Sequence, residues 1–138
     1  MTLQAVATFE APAGVANVYV AAHADGVTFA VDNNQVELHP VHIRGSPHYL
    51  GADQMPTAPF PAVLAALRAG ATRIGEFLAN GTSVVVTCQR GRQRSVAAAA
   101  AYLILHNGDS VQDALNLVWD ATDHPTRSNN YSHVLDQL

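Results

Sequence analysis

Lysine is absent from the 138 residues, and cysteine and tryptophan occur once each. One cysteine cannot close an internal disulfide, so a disulfide-built scaffold is excluded. Charge is sparse: 13% of residues are charged, and 7 basic residues, all arginine, stand against 11 acidic ones for a formal charge of −4. A net acidic chain without a broad basic stripe lacks the footprint of a general nucleic-acid binder, so no nucleic-acid partner is expected. Long apolar runs are missing too. The longest, Val96 to Leu105, has ten residues, against the ~20 needed to cross a bilayer. The opening Met1-Thr-Leu-Gln-Ala-Val-Ala has no basic residue ahead of an apolar stretch, so no secretory signal is expected. What is present is a 49% hydrophobic content, far too apolar for a disordered chain. The expectation is one soluble, cytoplasmic domain over residues 1–138.

Periodicity predicts alternating strands and helices. Strands are expected at Asn17-Val-Tyr-Val-Ala, at the β-branched Val27-Thr-Phe-Ala-Val-Asp, and over residues 36–43, where Pro40 argues for an edge or a bulge. Residues 45–61 carry glycines and prolines throughout and read as a long loop, a type often functional. Apolar residues three and four apart predict a helix over 62–79, stopped by Asn80-Gly81. Ser83-Val-Val-Val-Thr is the uninterrupted run of a central strand covered on both faces. An alanine-rich helix over 95–106, apolar nearly all round, should be buried. Ser110-Val-Gln-Asp113 resembles a capping box opening a helix to about Trp119, and a last helix fits 130–138. The expected class is α/β, with a central, mostly parallel sheet flanked by helices.

Three of the seven arginines, Arg90, Arg92 and Arg94, directly follow the lone Cys88. The segment Cys88-Gln-Arg-Gly-Arg-Gln-Arg94-Ser95 joins the end of a strand to the start of a helix. Such a turn can aim successive backbone N–H groups inward as an anion nest. Gly91 admits backbone angles most residues avoid, the helix N-terminus adds positive potential, and Arg94 can fork two N–H bonds onto two phosphate oxygens. Gln89, Arg90, Gly91, Arg92, Gln93 and Arg94 are therefore the candidate phosphate-binding residues. The same field favours a thiolate at Cys88, a nucleophile beneath the bound phosphate. Ser95 is placed to hydrogen-bond the sulfur and ease its departure. A buried structural cysteine, the ordinary fate of a lone thiol, explains neither the glycine nor the arginines.

The segment resembles the phosphate-binding loop of cysteine-dependent protein phosphatases, His-Cys-x5-Arg-Ser/Thr, and most closely that of the dual-specificity branch. The resemblance extends to Asn17-Val-Tyr-Val-Ala as the opening strand, to Ala101-Tyr102-Leu103 in the helix after the loop, and to Asn130-Tyr131 with Leu135 in the terminal helix. It implies a tyrosine/dual-specificity phosphatase-like fold and hydrolysis of phosphomonoesters, on phosphotyrosine and phosphoserine/threonine of proteins, through a cysteinyl-phosphate. It also implies an acid on an upstream loop. Asp53, 35 residues before Cys88 and the only acidic residue between Glu37 and Glu76, is the candidate, with His48 a weaker substitute. No cofactor or metal is implied, since the loop and Arg94 neutralise the charge.

One departure from the pattern stands at Thr87, where the family usually has histidine. It keeps open a second class of function, a weakly active or non-catalytic phosphate-binding module. Arg90 and Arg92, beyond the basic motif, open a third: the stretch Gln89 to Ser95 is similar to loops acting on inositol pyrophosphates and to the basic loops of phosphoinositide phosphatases. A sulfur-transfer or arsenate-reducing enzyme also uses a cysteine in an anion loop, but the disulfide-using version needs a second cysteine. Seven histidines invite a metal reading. His39 and His42, three apart on an expected strand, would face opposite ways, and no metal site is expected. Trp119 reads as core and Arg127 as solvated.

Overall fold

The computed structural model describes residues 3–12, 14–33, 35–38, 60–88, 90, 92–122 and 127–138. Among the described residues four strands and five helices follow in the order β1 (Ala7–Ala11), β2 (Gly14–Ala22), α1 (His23–Asp32), β3 (Val36–Leu38), α2 (Phe60–Ala79), β4 (Val84–Cys88), α3 (Arg94–Asn107), α4 (Val111–Thr122) and α5 (Ser132–Leu135). The sheet order is β1-β2-β4-β3. β4 runs parallel to both β2 and β3, and β1 pairs antiparallel with β2. The sheet is thus a small mixed one with a parallel centre, as the alternation of elements predicts. β3 lies at an edge of the described sheet, and Pro40 lies outside the described residues.

β4 is buried along its whole length, and its alternation explains why the run is apolar on every residue. Val84 and Val86 join the larger core, built with α2, α3, α4 and α5. Val85 faces the opposite way, into a smaller cluster with Ala21, Phe29 and Ala30 beneath α1. α3 is buried from Ser95 through Leu103, so its alanines allow close approach on all sides. Its C-terminus closes at Gly108, φ +72°, a conformation that favours glycine. Ser110 Oγ accepts the Asp113 N–H at 3.1 Å, opening α4 as the capping pattern predicts.

Three expectations change. Residues 27–32 are not a strand but most of helix α1. Its buried residues Gly26, Phe29 and Ala30 recur three and four apart, which is a helical stripe, while the β-branched Val27, Thr28 and Val31 face outward. The chain also forms a strand the sequence does not announce, β1, whose side chains are mostly exposed and so carry no clear alternation. The terminal helix shrinks to four residues preceded by a turn at 130–131.

Gly26 fixes how α1 sits. A Cβ there would overlap the methyl of Thr87 and crowd Val85 Cγ1 at 3.2 Å. The helix backbone therefore rests directly on the end of β4, one residue before Cys88.

Candidate active site

β4 ends with Cys88 and α3 begins with Arg94, so the Cys-x5-Arg segment is the connection at the carboxyl end of the central strand. That is where open α/β sheets place their ligands. Cys88 is 2% exposed and Ser95 fully buried, and Cys88 Sγ lies 3.2 Å from Ser95 Oγ. Residues seven apart in sequence are brought into hydrogen-bond contact. Arg94 is half-buried at the first position of α3, whereas Arg90 and Arg92 are exposed. The three arginines thus separate into one that is partly buried and two that are exposed. Gln89 and Gly91 lie outside the described residues, as do Asp53, His48, His39 and His42.

Two residues absent from the motif complete the surroundings. Asn129, 9% exposed, donates from Nδ2 to the Gln93 carbonyl at 3.0 Å. Its own Oδ1 accepts the Tyr131 N–H at 2.9 Å. The Asn130 N–H donates to Gln93 Oε1 at 2.8 Å. The last loop residue is therefore tied through both its carbonyl and its side chain to the turn before α5. Tyr131 is 8% exposed, and burial raises its phenol above the ordinary value of 10.0, with Arg94 lowering it and Cys88 raising it. The phenol is thus coupled electrostatically to both Arg94 and Cys88. In the sequence Tyr131 stands out only through the Asn130-Tyr131 resemblance, and nothing marks Asn129, whose partner is 36 residues away.

Thr87 is fully buried and occupies the space against Gly26 of α1. The β2–β4 register sets Ala22 beside Cys88, so His23, exposed at the start of α1, stands at the same end of the sheet as the loop. Arg127 is about half exposed and pairs with Asp120 at 2.6 Å, and Trp119 is in the core. Among the described residues no group of three or more His, Cys, Asp or Glu could hold a metal ion, and no helix is long and apolar enough to cross a membrane.

No family model and no curated protein matches the chain. Solved structures do. A variant of human DUSP28 aligns over 99% of this chain and 93% of its own, at 21% identity and a TM-score of 0.67. PTPMT1 aligns over 99% and 92%, at 19% identity and a TM-score of 0.59. PTPMT1 in complex with PI(5)P aligns over 87% and 88%, at 22% identity and 0.58. These are proteins of the dual-specificity phosphatase fold, and the chain has that fold.

Proposed function

We propose that the protein is a cysteine-dependent phosphatase hydrolysing phosphomonoesters through a cysteinyl-phosphate. The observation that carries this reading is the 3.2 Å contact between Cys88 Sγ and Ser95 Oγ, across a segment in which Arg94 stands at a helix N-terminus. In the first step a lone pair of the Cys88 thiolate forms an S–P bond while the bond from phosphorus to the leaving oxygen breaks. Arg94 and the loop amides hold the equatorial oxygens, where charge accumulates. Asp53, by the resemblance, gives its proton to the leaving oxygen. In the second step water forms the new P–O bond, losing its proton to Asp53, and the S–P bond breaks. Ser95 donates a hydrogen bond to the departing sulfur, which makes it a better leaving group.

A reduced sample should hydrolyse an aryl phosphate, and Cys88→Ser should abolish turnover while the loop still binds phosphate analogues. Full activity in that variant overturns the mechanism. Binding without turnover in the wild type would instead indicate a phosphate-binding module, the class that Thr87 keeps open.

A second substrate reading is favoured by the exposure of Arg90 and Arg92 on the turn and by the fold shared with a protein crystallised with PI(5)P. In this reading the substrate carries more than one phosphate, as phosphoinositides do. Arg94 clamps the phosphate being transferred and the outer arginines meet the next.

A further inference from the structure

The turn at 129–131 makes no contact required by the chemistry of Cys88, yet it bonds the loop at two points. The Gln93 carbonyl accepts two donors, the Ala97 N–H at 2.9 Å within α3 and Asn129 Nδ2 at 3.0 Å from outside it. Gln93 is the residue at the mouth of α3, with φ −120° and ψ −70°, neither helical nor extended, and its side chain does not cap the helix. That side chain instead accepts the Asn130 N–H.

The peptide plane gives these bonds a consequence. In a trans peptide the carbonyl and the following N–H point in opposite directions from one rigid plane. Holding the Gln93 carbonyl along α3 therefore aims the Arg94 N–H back out of the helix N-terminus. The same plane sets the direction in which the Arg94 side chain leaves the backbone. A helix N-terminal N–H is an anion donor only while that orientation holds. Asn129 is well suited to hold it, because its amide donates to Gln93 and accepts from Tyr131 at once. A buried amide that uses both ends is fixed in one rotamer.

From this geometry we infer that Asn129 is a positioning residue, which orients the Gln93–Arg94 peptide so that the Arg94 N–H and guanidinium converge on a bound tetrahedral oxyanion. The inference rests on the proposed reading of the loop as an oxyanion site and adds the side chain that keeps it assembled.

Asn129→Ser separates the two halves of the amide's role. Its hydroxyl can still accept the Tyr131 N–H, as serine does in turns, but it is too short to reach the Gln93 carbonyl. Asn129→Ala removes both bonds. Tungstate affinity, measured by calorimetry on each reduced protein, reads the site without requiring turnover, and the thermal midpoint of each variant is measured beside it. Asn129→Ser should weaken tungstate about three- to tenfold, the cost of one lost hydrogen bond, while melting cooperatively. A merely structural role would lower the midpoint and leave the affinity of the folded protein unchanged, and that result overturns the inference. Should Asn129→Ala fail to fold, the serine variant alone decides. A wild type that binds no tungstate removes the oxyanion reading and this inference together. A wild type that binds, with variants that bind equally well, removes only this inference.

Discussion

Tyr131 shows how one side chain can belong to both core and site. Its ring packs in the larger core, its N–H is taken by Asn129, and its phenol lies within the fields of Arg94 and Cys88. Burial, the largest cause, raises its pKa above 10.0, and the same cause raises Tyr102. The sign follows from proton counting. Below pH 10 folded and unfolded chains both keep the phenol proton. As pH rises through 10 the unfolded chain releases it first, so the folded state binds more protons and stability falls. The loss continues until the folded pKa is passed. Tyr131→Phe removes one of these contributors. The thermal midpoint of this variant should decline less steeply than that of the wild type from about pH 9.5 upward, near the tyrosine range. Parallel curves would mean that the Tyr131 phenol ionises alike in both states.

At the scale of elements, α1 is where sequence and structure part company, and its position explains why. Val27, Thr28 and Val31 favour a strand by local preference, yet burial decides the outcome. The helical stripe of Gly26, Phe29 and Ala30 is legible only once Val85 and Thr87 are known to lie beneath it. The Cys-x5-Arg segment was legible for the opposite reason. Cys88, Arg94 and Ser95 sit on one short stretch between a strand and a helix, so spacing alone brings them together. Asn129 was not, because its partner Gln93 is 36 residues away and no periodicity links them.

The contact of α1 with β4 makes a test. Gly26→Ala places a methyl on the Thr87 methyl, and overpacking of this kind costs about 1–3 kcal/mol. Because Cys88 follows Thr87 directly, α1 or the strand end must shift, and turnover should fall as well. Thr87→Ser removes the obstructing methyl while keeping the hydroxyl. The pair should therefore be non-additive, with Gly26→Ala costing less in the serine background, by about 0.5–2 kcal/mol, in denaturant unfolding. Some cost should remain, since Val85 Cγ1 stays 3.2 Å from the new carbon. Strict additivity would mean that the two groups do not meet.

For the whole molecule the relevant quantity is where charge lies rather than its sum. A chain of formal charge −4 repels phosphorylated molecules at long range, and the arginines at the turn oppose this only locally. Arg90 and Arg92 are exposed, so solvent screens them, and each should contribute at most about 1 kcal/mol to a bound phosphate. Their effect should also fade with salt, because the screening length is about 8 Å at physiological ionic strength. Arg94, half-buried, is less screened. The double variant Arg90→Ala/Arg92→Ala should thus discriminate between substrates. On a short-chain phosphoinositide carrying a second phosphate, kcat/KM should drop about tenfold at low salt, while an aryl monophosphate should lose about two- to threefold through the weakened general field. Raising ionic strength should narrow the wild type's advantage on the phosphoinositide and leave the variant nearly insensitive. Equal losses on both substrates, with the same salt dependence, would assign the outer arginines to general attraction and favour a singly phosphorylated substrate at Cys88.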